Sequence, residues 1–192
     1  MRIMYIHVPS AWLALFGYVA LGICGLSYII WRHPLADVAG RAIAPVGAVF
    51  ALITLITGSL WGKPMWGAWW VWDARLTSML ILFFFYAGYI SLANGFDRAE
   101  RGSKPAALLA IVGLVNVPIV KFSVNWWNTL HQPASLVRID GPTIDPSMLY
   151  PLLLMLVAAH AYFAIIVILR MRVQLNERRI ASLLLHPERS RR

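Results

Sequence analysis

Followed residue by residue, the chain alternates between long apolar stretches and short polar ones. Residues 11–31, 43–61 and 76–93 contain no charged side chain, a fourth stretch lies between Lys104 and Lys121, and a fifth covers 149–169. A helix needs on the order of 20 apolar residues to cross a hydrocarbon core about 30 Å thick, so each stretch reads as a transmembrane helix. The fourth is short, which implies that its flanking lysines snorkel or that the bilayer thins around it. The fifth ends in Arg170-Met171-Arg172, a basic stop at an interface. The predicted fold is all-α: a polytopic membrane helical bundle of five transmembrane helices, a single domain over 1–192 with no linker or low-complexity stretch.

Composition agrees with that picture. A chain that is 60% hydrophobic and 13% charged, with a mean hydropathy of +0.68, is too apolar for an ordinary soluble domain. The net charge of +9 would fit a nucleic-acid partner only if it formed a patch, and it follows the predicted topology instead. With the N-terminus outside and the C-terminus inside, the inner segments hold 12 of the 17 Lys and Arg residues, seven of them in a basic cytoplasmic tail at 170–192, so the positive-inside rule selects this orientation. Cys24, the one cysteine, sits within the first span and reads as packing. Residues 1–9 lack the pattern of a cleavable signal peptide, and placing Met1-Arg2 outside implies an absent upstream helix.

The polar segments carry the chemistry. On the inner side, 32–42 and 94–105 read as simple turns. On the outer side lie 1–10, the tryptophan-rich segment 61–76 and the loop 122–148, which the alternation of spans delivers to one face. Five of nine tryptophans fall within 61–75. At helical spacing Trp66, Trp69, Trp70 and Asp73 share one face, with Trp72 off that stripe. An interfacial belt would decorate both ends of the bundle, yet only Trp31 maps to the inner end, which favours a binding site. A flat apolar ring system would stack there, with Asp73, Arg75 and Lys63 to orient it or bind its acidic substituents. Haem fits, and so does a quinone or a lipid headgroup.

Of five histidines, only His7 and His131 accompany the tryptophans. They precede the first and fifth spans, so they could approach a ring from opposite faces as axial ligands; a solvated loop histidine is the competing reading for each. Pro9 is placed to open the first helix just after His7, and Trp127 one helical turn beneath His131. His33 and His186 map to the inner side. His160, inside the fifth span, could relay protons or bind a second cofactor, but with no acidic partner in any span it reads as a neutral ring bonded to a neighbouring helix. Asn116 and Pro118 read as packing or a kink.

Three stretches carry a resemblance: Tyr5-Ile6-His7-Val8-Pro9, the run from Gly58 to Thr77, and Trp126-Trp127-Asn128-Thr129-Leu130-His131-Gln132. Over nearly its whole length the chain resembles the haem-handling membrane proteins with a tryptophan-rich WWD segment, and among them the protein C family of bacterial cytochrome c maturation, CcmC. That resemblance implies haem b held at the outer, periplasmic face of the bacterial inner membrane. His7 and His131 would be the axial ligands against Trp66, Trp69, Trp70, Trp72 and Asp73, with Trp126 and Trp127 beside them and Lys63 and Arg75 as propionate contacts. It also implies presentation to the haem chaperone CcmE, association with the small membrane subunit CcmD and the ATP-driven CcmA and CcmB, and six spans where this chain shows five. The competing functions are a transporter of haem or another solute, for which no inverted repeat or broken-helix pair is evident, and a cytochrome c synthase, which lacks the extra ligands it would need.

Overall fold

The computed structural model describes residues 2–96, 99–127, 129–131, 136 and 141–185. It resolves the apolar pattern into six helices: α1 (Met4–Trp31), α2 (Pro34–Trp66), α3 (Ala74–Asn94), α4 (Ala99–Gly113), α5 (Asn116–Trp126) and α6 (Pro146–Leu185). α4 and α5 form one crossing, Glu100–Trp126, so five units are long and apolar enough to span a membrane. The chain is an all-helical, multi-pass membrane protein.

Several helices outrun the stretches that predicted them. α1 begins at Met4, so 5–10 are helical and Pro9 lies inside the helix instead of opening it. There the ring leaves Tyr5 O without its donor from four residues on, a loss confined to the start of the helix. Nor is 32–42 a loop. Arg32, at φ 51, and His33 alone connect α1 to α2, and Pro34 opens α2, where an absent N–H costs no hydrogen bond. α6 runs through Arg170-Met171-Arg172 to Leu185, 40 residues or about 60 Å, since a helix can leave a bilayer without ending.

The fourth crossing breaks at Leu114 and Val115. Pro118 cannot donate to the carbonyl of Leu114, and the bonding tightens locally, with Val115 N donating to Val112 O at 3.3 Å and Val117 N to Leu114 O at 3.1 Å. Asn116 then pins α5 to α3, its Nδ2 donating to Ser78 O at 2.9 Å.

The core lies where α1, α2 and α3 meet around Leu13, Tyr18, Leu21, Leu82 and Tyr86, all fully buried. Tyr86 Oη donates to Ala14 O at 2.7 Å and occupies the space that a Cβ on Gly47 would need, 2.3 Å away, so the glycine lets α2 and α3 close up. α6 packs on α1 and α2 through Phe163 and Val167 and is the least enclosed helix. Helix direction sorts the chain ends: the starts of α1, α3 and α6 and the ends of α2 and α5 gather at one pole, the tryptophan end, and the remaining termini at the other, the arginine end.

Candidate functional site

At the tryptophan end the helical stripe expected from the spacing does not exist. α2 stops at Trp66 because Gly67 turns left-handed at φ 76, its N–H capping Lys63 O at 3.0 Å. Lys63 Nζ bonds Gly67 O at 3.1 Å and sits 5.9 Å from the centre of the Trp69 ring. From Gly67 to Asp73 the backbone is irregular, so the indoles project from a loop rather than from a helix face. Trp72 and Trp69 are exposed, at 75% and 55%, while Trp70 is partly buried against the core and meets Trp72 edge to face at 5.5 Å. Trp70 Nε1 is buried and donates to nothing among the described residues.

Asp73 closes the loop and performs two tasks. Its Oδ1 accepts from Leu76 N at 2.8 Å, capping α3. Its Oδ2 lies 2.9 Å from His131 Nδ1, and since a carboxylate can only accept, the imidazole donates from Nδ1 and presents Nε2 as its lone pair. Trp66 meets the same ring edge to face, centroids 4.9 Å apart. Burial pushes the His131 pKa below its ordinary value, more than the hydrogen bond and charge of Asp73 raise it; Arg75 adds to the lowering. The ring is therefore neutral at pH 7, the form that binds a metal.

His7, in the first turn of α1, is held in a parallel way. Its Nδ1 lies 2.9 Å from Thr57 Oγ1. That hydroxyl spends its proton on Ile53 O at 2.6 Å, so the His7 ring donates from Nδ1 and leaves Nε2 as acceptor. Trp61 packs edge to face on it at 5.6 Å, and a Cβ on Gly58 would come within 3.1 Å of its Cε1. Trp61 against His7 and Trp66 against His131 lie five residues apart on α2, so both rings pack at the same end of that helix. Thr57 did not stand out in the sequence, because a threonine inside an apolar span reads as packing; Gly58 entered only as the first residue of the run from Gly58 to Thr77.

The other expected residues make their own contacts within the chain. Arg75 ties α3 to α5, Nε to Ser123 Oγ at 3.3 Å and Nη2 to Lys121 O at 3.2 Å. Trp126 and Trp127 are exposed and pack on each other at 5.8 Å. α5 ends at Trp126 and Trp127 is extended, at φ −132 and ψ 152, so His131 does not stand one helical turn above Trp127. The segment around Asn128, Gln132 and Arg138 lies partly outside the described residues, as does His186. His160 accepts from Trp12 Nε1 at 3.1 Å, and its Nδ1 meets Leu156 O at 2.7 Å. Indole N–H can only donate, so this is a neutral ring bridging α6 to α1.

The segment 32–42, read as a plain turn, holds a buried polar cluster at the arginine end. Asp37, buried, accepts from Arg41 Nε at 3.0 and 3.1 Å and from Arg178; Arg41 also donates to Ala93 O at 2.6 Å and Ser103 Oγ at 3.1 Å.

Comparison with known proteins places these features. A sequence profile described as heme exporter protein C (CcmC) matches residues 1–186. Heme exporter protein C of Bradyrhizobium diazoefficiens is 52% identical over 182 residues, covering 95% of this chain and 69% of that protein. Its counterpart in Haemophilus influenzae is 44% identical, covering 91% and 71%, and that of Escherichia coli K12 is 47% identical over 151 residues, covering 79% and 60%. This chain thus spans some two thirds of the length of the relatives it matches. A profile match over residues 1–186, with relatives 44–52% identical over most of its length, makes this chain a member of the heme exporter protein C family.

Proposed function

We propose that the chain binds haem b as cargo at the tryptophan end, between His7 and His131. There it presents haem to a haem chaperone of the CcmE type during c-type cytochrome maturation. In this reading the tryptophan end faces the periplasm across the bacterial inner membrane, and CcmD, CcmA and CcmB are the partner subunits. The relatives' printed names supply the haem-handling role; the chain's own residues supply a site suited to it.

One observation carries the reading: both histidines have Nδ1 tied to an acceptor, Thr57 or Asp73, and Nε2 engaged by no described residue. Two neutral imidazoles with free Nε2 atoms, on α1 and on the segment before α6, suit the two axial positions of haem iron. The remaining groups fit as well. Trp66, Trp69 and Trp72 offer apolar ring surface, and the buried Trp70 Nε1 is a donor matched to an acidic oxygen. Lys63 and Arg75 keep donors beyond those used within the chain. When bound, haem supplies an iron centre with two open axial positions and two carboxylates. The protein fixes ring tautomer and orients both imidazoles.

Haem co-purified with the protein should show a low-spin, six-coordinate spectrum. His7→Ala or His131→Ala should convert it to a five-coordinate or weakly bound form and reduce transfer to the chaperone. A double variant that keeps both the spectrum and the transfer would refute the ligand assignment.

A further inference from the structure

The arginine end holds a second polar site, unrelated to the histidines. α6 packs on α1 and α2 but scarcely touches α3, and the gap is a cavity of about 470 Å³. Arg170, Gln174, Glu177 and Arg178 line it from one face of α6, at the i, i+4, i+7, i+8 spacing of a helix stripe, with Arg41 from α2 and Tyr89 from α3. Pro45 and Ile90 form an apolar wall on the side towards the bundle centre.

The lining is not self-satisfied. Arg41 is committed to Asp37, Ala93 O and Ser103, and Arg178 shares Asp37. Arg170 and Glu177 form no ion pair among the described residues. Gln174 Oε1 is buried with no hydrogen-bond partner, a position that costs free energy unless a donor meets it. The cavity therefore offers an uncommitted guanidinium for an anionic oxygen and, one and two turns away, two acceptors for N–H or O–H groups. Three arginines against Asp37 and Glu177 leave one positive charge over.

We propose that this cavity binds the headgroup of a membrane phospholipid, a phosphate diester carrying a hydrogen-bond donor, of which phosphatidylethanolamine is the matching type. The phosphate meets Arg170 and Arg178, the ammonium donates to Gln174 Oε1 and Glu177, and the acyl chains leave along the apolar wall into the bilayer. The donor requirement separates this headgroup from choline, which has the same phosphate but no N–H. The apolar wall of Pro45 and Ile90, which belong to the second and third apolar stretches, separates a lipid from a soluble anion.

The test uses the full chain, stripped of lipid in detergent, incubated with mixed micelles of phosphatidylethanolamine or phosphatidylcholine, with bound lipid counted by native mass spectrometry. Phosphatidylethanolamine should be retained over phosphatidylcholine. Arg170→Gln should weaken its retention roughly tenfold, the scale of one hydrogen bond to a charged group, and Glu177→Gln should narrow the preference for ethanolamine. Arg172→Gln, exposed and off the cavity, should change nothing, and thermal unfolding of each variant checks that the bundle is intact. Equal retention by Arg170→Gln and the parent, equal binding of the two lipids by the parent, or displacement of the lipid by millimolar inorganic phosphate would each overturn the proposal.

Discussion

Asp73 shows how much one side chain can be asked to do, and how its tasks can be separated. One oxygen caps α3 and the other fixes His131. Asp73→Asn can keep the cap through its remaining oxygen but must turn an N–H towards His131 or lose the charge that holds its tautomer. Stability should change little, while haem affinity should fall 10- to 100-fold, the range seen on loss of such supporting carboxylates, as read by haem titration. Asp73→Ala should add about 1 kcal/mol of destabilisation for the lost cap, visible as a lower unfolding midpoint. The His131 ring also sets a pH dependence. Its folded pKa is below the ordinary 6.5 because burial outweighs the pull of Asp73. The unfolded chain then takes up a proton at a pH where the folded chain does not, so stability is intact above pH 6.5 and declines as pH falls towards the folded value. Thermal unfolding followed between pH 7.5 and about 5 should show that decline, and His131→Ala should lessen it.

At the level of elements, periodicity found the spans and misjudged their joints. The apolar runs were long enough to place every crossing, but apolarity ends where charge begins and a helix does not. Hence 34–42 joined α2, and Arg170-Met171-Arg172 stayed helical in α6. The tryptophan stripe failed for a local reason that the sequence did contain: Gly67 is suited to a left-handed C-terminal position, and Asp73 followed by an apolar run is an N-cap. Those signals argue for a helix–loop–helix, whereas the 3.6-residue spacing of Trp66, Trp69, Trp70 and Asp73 was coincidental. Gly67→Ala tests the joint. At φ 76 an alanine should destabilise by about 1 kcal/mol or extend α2 by a turn. In either case the indoles move relative to Asp73, so haem affinity should drop even though Gly67 has no side chain to contact it.

Across the whole molecule, the proposed site was legible wherever its chemistry is carried by rare residue types and hidden wherever it is carried by common ones. His7, His131 and the tryptophans could be named as candidates from the sequence, while Thr57 could not, because only folding brings it against His7. The Asp37–Arg178 contact joins positions 141 residues apart, beyond the reach of any local pattern. The same division bears on orientation. The proposed orientation, with the tryptophan end outside, rests on charge bias, and the fold supplies the means to check it, since Cys24 is the sole cysteine and lies within α1. In a Cys24→Ser background, cysteine placed at the exposed Lys63 reports the tryptophan end, and cysteine at the exposed Glu100 reports the arginine end. A membrane-impermeant thiol reagent applied to intact cells, with the outer membrane opened, should label the first variant and spare the second until the inner membrane is permeabilised. The reverse pattern would turn the histidine site towards the cytoplasm and exclude transfer to a periplasmic chaperone, whatever the haem spectrum showed.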